Sequence, residues 1–210
     1  MIRAKIIGII LSLSVFIGPA MGELEQPTYK VVFAEDNIEM REYQPMIIAE
    51  VNARGERKAA IRFGFQLLAD YILGENIARQ VTTQMQAAEQ QSQKIAMTAP
   101  VEIQSNGESW KISFLMPSEF SLDTLPTPKN KYIKLTEIPE QNFIILGFSG
   151  RIIESNLARH EKLLRDYIET HQIKVKGSPK FAFYNPPWVP SFMRRNEVML
   201  ELVDQDLPLK

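Results

Sequence analysis

The 210-residue sequence contains no cysteine. That absence excludes disulfide frameworks, thiolate metal sites, thiolate-ligated iron and cysteine nucleophiles together. Histidine is nearly absent, with only His160 and His171, so a site needing three imidazoles is excluded as well. Neither sign of charge dominates. The 24 Lys+Arg stand against 25 Asp+Glu for a net charge of −1, and no whole-chain field draws the protein to nucleic acid or an anionic surface. The largest basic cluster is Arg194-Arg195, so no nucleic-acid partner is expected. Glycine-rich phosphate loops are missing, which removes the backbone cradle that nucleotide hydrolysis needs. What is present is 45% hydrophobic residues, over a length that supports one good core or at most two small ones.

Long hydrophobic runs are also lacking. The longest, Ile6 to Ile17, is broken by Ser12 and Ser14 and falls short of the roughly 20 residues of a spanning helix. Arg3 and Lys5 precede it, and Gly18-Pro19-Ala20-Met21-Gly22 follows. Ala20 and Gly22 are spaced like the −3 and −1 positions of a cleavage site before Glu23. Residues 1–22 therefore read as an export signal and 23–210 as a single domain, with a periplasmic or secreted location. The alternative is an uncleaved segment that anchors the chain and supplies its only membrane contact. A lipid anchor is disfavoured because there is no cysteine to acylate, and a cysteine-free chain tolerates an oxidising compartment.

The remainder is written twice. Alternation in Ile47-Ile48-Ala49-Glu50-Val51-Asn52 and in Phe143-Ile144-Ile145-Leu146-Gly147-Phe148 marks two strands, each ending near a glycine, Gly55 or Gly150. A helix pattern follows each. The first, about Arg57 to Leu73, lines up Ala60, Ile61, Gly64, Phe65, Leu68, Tyr71 and Ile72 and stops at Gly74. The second, about Ser155 to Thr170, lines up Leu157, Leu164, Tyr167 and Ile168, with Ser155 or Asn156 as its cap. The segments Leu67–Ile72 and Leu163–Ile168 share five of six residues at an offset of 96. A further pair of strands follows each helix: Met97 to Gln104 with Ser109 to Met116, and Lys180 to Tyr184 with Arg195 to Val203. Two early strands, Tyr29 to Phe33 and Ile38 to Tyr43, feed the first sheet.

The expected fold class is α+β: duplicated βαββ units, with pseudo-repeats at about 28–117 and 131–204, joined into a curved antiparallel sheet or open barrel with a helix from each half. Ser118 to Lys131, with Pro126 and Pro128, reads as a stiffened link between the halves. Ala78 to Lys94, rich in Gln and Ala, reads as a mobile loop.

Catalytic constellations are hard to find. His160-Glu161 begins like a zinc-protease helix, but Leu164 stands where the second imidazole belongs. Gly147-Phe148-Ser149-Gly150 matches a nucleophile elbow only loosely, because its second glycine comes one residue early. The two histidines lie along one side of the second helix and read either as structural side chains or as an axial ligand to an iron centre. Phe63 and Leu67 lie off the centre of the first helix's stripe and are expected to look into a groove. Met85, Met97, Met116, Met193 and Trp188 add soft, polarizable surface, although each also reads as a core filler. Such a groove suits a flat apolar ligand whose carboxylates meet Arg62, Lys94, Arg194 or Arg195.

Several blocks occur in order: Tyr29-Lys30-Val31-Val32, Ile38 to Tyr43, Tyr71-Ile72-Leu73-Gly74-Glu75-Asn76, Lys94 to Val101 with its Met-Thr-Ala-Pro-Val, Ser113 to Pro117, and Arg194-Arg195-Asn196-Glu197-Val198. Together they resemble the SOUL haem-binding protein family from about Thr28 to Val203. The resemblance implies a distorted eight-stranded antiparallel barrel flanked by two helices. It also implies non-covalent binding of haem or a related tetrapyrrole in a shallow apolar groove beside the first helix, without enzymatic activity. The residues expected to bind it are Arg62, Phe63, Leu67, Met97, Trp188 and Arg194, with His160 or His171 as the candidate metal ligand. Two departures stand out: no histidine lies near the first helix, and the polar segment 78–94 is long. An effector-binding module with Glu197 or Glu102 as its buried carboxylate, Glu197 otherwise pairing with Arg194 or Arg195, is one alternative. An enzyme acting on tetrapyrroles is another.

Overall fold

A computed structural model of the protein describes residues 24–79 and 91–203. The expected signal, residues 1–22, and Met85 lie outside the described residues. Three strands come first: β1 (Tyr29–Glu35), β2 (Ile38–Tyr43) and β3 (Met46–Arg54). Helix α1 (Arg57–Leu73) follows, then β4 (Asn76–Ile77), β5 (Val101–Asn106), β6 (Ser109–Leu115) and β7 (Thr127–Pro128). The second half holds β8 (Ile133–Ile138), β9 (Gln141–Phe148), α2 (Glu154–Thr170), β10 (Val175–Phe183) and β11 (Asn196–Leu202), with a short 3-10 turn at Ser191–Met193.

Nine strands form one antiparallel sheet in the order β1-β2-β9-β11-β10-β5-β6-β3-β8, curled into a half-barrel, while β4 and β7 pair separately. The eight-stranded barrel is thus corrected to nine strands with two unjoined edges, β1 and β8. The strand not anticipated is β8, whose Ile133 and Leu135 alternate with Lys134 and Thr136 directly after the proline link. Within the sheet, β3, β6 and β5 stand in the same relation as β9, β11 and β10, and the β5–β10 pair joins the two sets. The link itself is not free of structure, since Thr127–Pro128 pairs with Asn76–Ile77.

Both helices pack on one face of the sheet. Under α1, the alternating Ala49, Val51 and Ala53 of β3 and Ile112 and Phe114 of β6 meet Ala60, Leu68, Tyr71 and Ile72. Under α2, Ile144, Leu146, Val198 and Leu200 meet Leu157, Leu164 and Ile168. Period two puts Tyr43, Phe143, Ile145, Ala182, Tyr184 and Met199 on the opposite, helix-free face. Gly64 lets α1 approach closely, because a Cβ there would lie 2.7 Å from Ile112 Cδ1.

The helix ends differ. At α1, the Glu56 carboxylate accepts from the Lys58 and Ala59 amides at 3.0 Å each, and Gly74 terminates the helix at φ +124°. At α2 the capping residue is Ile153, with no side-chain cap. Asn156, one of the expected caps, instead donates to the Arg151 and Ser149 carbonyls, at 3.0 and 3.3 Å, and braces the preceding loop. The fully buried Asn76 ties down the exit of α1, donating to Tyr71 and Gln93 carbonyls and accepting from the Gln93 amide. Ala78 N–H donates to Gln91 C=O at 2.9 Å, so the described ends of the 78–94 segment meet. Its residues 80–90 lie outside the described residues.

Candidate functional site

Burial along α1 takes Ala60, Gly64, Leu68, Tyr71 and Ile72, which leaves Phe63 and Leu67 one position to the side of the stripe. Leu67 is half-buried, but Phe63 remains 50% exposed. Its ring meets the edge of Tyr132, itself 58% exposed, with centroids 6.4 Å apart. Tyr132 reaches this position because the Asn130 side chain accepts its amide at 3.0 Å, turning the chain into β8. On the same flank opens a cleft of about 240 Å³ walled by Leu67, Asp70, Tyr71, Glu75, Lys129, Asn130 and Ile133. Lys129 and Glu75 pair there at 3.7 Å. Burial pushes the Tyr71 phenol up to about 12, and it donates to Pro126 C=O at 2.8 Å.

Cations accompany the rings. Arg62 is exposed and makes no ion pair with the described residues, and Lys131 lies 5.6 Å from the Tyr132 ring centroid. A second cleft, about 290 Å³, lies between residues 25–28, 44–47 and 115–121, but its charged walls are Glu25 and Glu137. Each cleft has two carboxylates in its wall, Asp70 and Glu75 beside α1 and Glu25 and Glu137 in the second, but only the one beside α1 also carries a cation, Lys129, so of the two it is the less repulsive to an anionic ligand.

The other expected ligand residues lie elsewhere. Met97 and Trp188 are exposed near the start of β5 and the end of β10, at one end of the sheet. Arg194 does not present its charge to solvent alone: it donates to the carbonyls of Val189, at 2.8 Å, and Pro187. The reason is local. A stretch with prolines at 186, 187 and 190 lacks amides to satisfy its own carbonyls, and a guanidinium fills the role. Lys94 is exposed. Met116 is buried against the α1 cluster as core.

His160 is on α2 and His171 caps its C-terminus; α2 packs on β9 and β11, whereas α1 packs on β3 and β6. His160 Nδ1 contacts the Asn156 carbonyl at 2.7 Å and its ring stacks on Phe148. His171 repeats this with the Tyr167 carbonyl at 2.9 Å and the Tyr167 ring. The structure therefore does not bring either imidazole to the Phe63 flank.

On the helix-free face, Arg41 and Glu197 form a buried two-pronged pair at 3.1 Å per contact, exposed by only 5% and 1%. Arg195 adds contacts at 2.8 and 3.0 Å, and Tyr184 donates to the same carboxylate at 2.8 Å. Burial pushes the Glu197 carboxyl up, but hydrogen bonding and charge from Arg41, with Arg195 behind it, outweigh burial and hold it below the usual carboxylate range. The expected partner Arg195 is present, Arg194 is not, and Arg41 was unforeseen. Glu102 pairs with Lys180 at 3.6 Å. Neither carboxylate is left to attract a cation.

Comparison with known proteins then decides the family. The model of the SOUL heme-binding protein family matches residues 24–201. The chain belongs to the SOUL family. SOUL membership gives the sequence blocks a structural reading: Tyr71 and Asn76 lock the exit of α1, and Arg195 and Glu197 build the buried ion network. A search by sequence among curated proteins finds no match. Among solved structures, the EcmrR C-terminal domain is similar with TM-score 0.57 and 11% identity over 83% of this chain and 98% of that one. A hydrolase from Listeria innocua has TM-score 0.54 and 10% identity, over 81% and 94%. At these identities the likeness extends to the fold alone.

Tyr132 and Lys129 were missed in the sequence. They sit in a Lys-Asn-Lys-Tyr stretch without periodicity, and only the packing of β8 beside α1 gives them a role.

Proposed function

We propose that this SOUL protein is an exported, non-enzymatic binder of haem or a related tetrapyrrole, held on the α1 flank. The observation that carries the reading is the solvent-facing Phe63–Tyr132 pair above a cleft too small to enclose a macrocycle. Its volume of about 240 Å³ is under the roughly 300–1,000 Å³ of enclosing pockets, so the donor set fits a ring lying on an open face and does not fit a buried, histidine-ligated one. Phe63, Leu67 and Tyr132 would hold the macrocycle by burial, and Arg62 and Lys131 would meet its carboxylates, Lys129 being already paired with Glu75. Bound haem would supply an iron centre. Export is supported by the pattern of residues 1–22 and predicts an intact mass for the processed chain that begins at Glu23. The two βαββ units are read as copies, supported by their equal strand order.

Titration of the protein with micromolar haem tests the site. The Soret band is expected to shift, and Phe63→Asp is expected to weaken binding by about tenfold or more, from about 1.4 kcal/mol per factor of ten. His160→Ala and His171→Ala are expected to leave the band in place. An unshifted Soret band, or unchanged affinity in Phe63→Asp, overturns the assignment. The effector-module reading needs a free buried carboxylate, but both candidates, Glu197 and Glu102, are already ion-paired. Preference for a cationic dye over haem would reverse the order. Turnover of a tetrapyrrole ester would do the same for the enzymatic reading.

A further inference from the structure

The second cleft has a chemistry of its own. It lies where residues 25–28, the β2–β3 turn and the chain after β6 meet the end of β8, and it measures about 290 Å³. Part of its wall is apolar. Met46 packs on the helix-free cluster, whereas Ile47 and Phe120 pack on the α1 cluster, and all three are half-buried. Glu25 and Glu137 stand in the same wall, which contains no lysine or arginine.

Charge along the chain around it has one sign. The stretches that build it, residues 24–29, 42–49, 112–128 and 135–142, carry Glu25, Glu42, Glu119, Asp123, Glu137 and Glu140 and neither lysine nor arginine. In a chain with 24 basic and 25 acidic residues, that is a local departure from balance. The cations that touch these stretches are engaged. Lys30 lies 3.8 Å from Glu42, and Arg195, which donates to Gln26 Oε1 at 3.0 Å, shares Glu197 with Arg41. Arg79 donates to Leu122 C=O and Thr127 Oγ1, neither of which is in the wall.

The walls are fixed before anything binds. Gln44 N–H bonds Thr28 C=O at 3.0 Å, and Met116 N–H bonds Ile47 C=O at 2.8 Å. The Ser118 amide donates to Glu25 Oε1 at 2.8 Å and pins that carboxylate in the cleft. Glu137 is exposed and makes no ion pair with the described residues. Two carboxylates without a counter-charge, beside an aromatic ring and a polarizable thioether, complement an ammonium group. Size narrows the choice further. The volume sits at the lower edge of small-molecule sites, roughly 300–1,000 Å³, which suits a ligand of one ring and its charged group.

We propose that this cleft is a second ligand site, separate from the α1 flank, for a small organic cation: an amine or quaternary ammonium carrying one apolar ring.

Isothermal titration of the full chain with benzyltrimethylammonium tests it, with phenylacetate as the anionic counterpart. The cation is expected to bind with a Kd of about 1 mM or below, and phenylacetate is expected to give no binding heat over the same range. Glu25→Gln keeps an acceptor for the Ser118 amide, and Glu137→Gln removes no contact with a described residue, so each change takes away charge alone. Each should weaken the cation by about threefold, and the double variant by about tenfold. Added salt should weaken it as well. Saturating haem should leave the cation's affinity unchanged, and the titrations without haem hold whether or not haem binds. No binding heat with the cation, equal affinity for phenylacetate, or unchanged affinity in the double variant overturns the proposal. So does displacement of the cation by haem, because both ligands would then share the α1 flank.

Discussion

The two βαββ units carry helices of equal length, 17 residues each, yet distribute charge in opposite ways. The second unit is closed by charge. The exposed side of α2 is laced by Lys162–Asp166 at 2.7 Å and Arg165–Glu161 at 2.9 Å, and behind its sheet Glu197 and Arg195 are joined by Arg41 from the neighbouring β2 of the first half. In the first unit the buried acid is Glu50, with Lys111 and Lys134 only at 4.0 and 3.9 Å and a Thr136 hydroxyl at 3.1 Å. Its helix exposes Phe63, Phe65 and Leu73. The lesson is a division of labour: one unit holds its geometry through tight ion pairing, while the other leaves aromatic surface open to a ligand.

Removing the central carboxylate tests that division most severely. Glu197→Gln removes the carboxylate that Arg41 and Arg195 share, leaving the buried Arg41 only the part-exposed Glu39 at 2.6 Å, and is expected to cost about 3 kcal/mol in denaturant unfolding. Glu50→Gln should cost under about 1 kcal/mol because its cations are solvated. Equal losses would abolish the distinction between the units.

Acid and alkali probe the same contrast. The native Glu197 carboxyl is held low, so below about pH 4.3 the unfolded chain takes up a proton that the native state refuses. Stability therefore falls as pH drops from there through the native value, and Glu197→Gln should flatten this limb. In the first unit, Tyr71 keeps its proton to about 12, whereas an unfolded tyrosine releases it near about pH 10. Stability should fall with rising pH across that window, and Tyr71→Phe should remove that part of the alkaline loss. Equilibrium unfolding at a series of pH values reads both.

Gly64→Ala sharpens the packing side of the comparison. Overpacking against Ile112, about 1–3 kcal/mol, outweighs the helix-propensity gain of about 1 kcal/mol, so a net loss of about 1 kcal/mol is expected from chemical denaturation. The smallest effect belongs to the surface of α2. Asp166→Asn should cost about 0.3–0.5 kcal/mol and lose its effect at high salt; a larger loss would mean that α2 depends on its charge lattice more than exposed pairs allow.

Much of the architecture was legible because it rests on local rules. The period of α1, with Gly74 at positive φ, marks both ends of the helix within the chain itself, and the alternation of β9 and β11 follows from a sheet covered on one side. Strand β8 was not legible, since six residues after a proline link carry too weak a pattern. The candidate site was legible in part. Phe63 and Leu67 follow from their offset from the stripe, but Arg194 looked like a free cation because nothing in its neighbours announces that it clamps two carbonyls.

By itself, the order of residues determined the helices, most strands, the family and the lack of thiol or three-imidazole chemistry, because those depend on composition and on contacts a few residues apart. Which strands neighbour one another, that Arg41 meets Glu197 from 156 positions away, and that Tyr132 stands over Phe63 were decided only by the folded sheet. Pairing at long separation is selected by the packing of the whole core, and no short stretch of sequence encodes it.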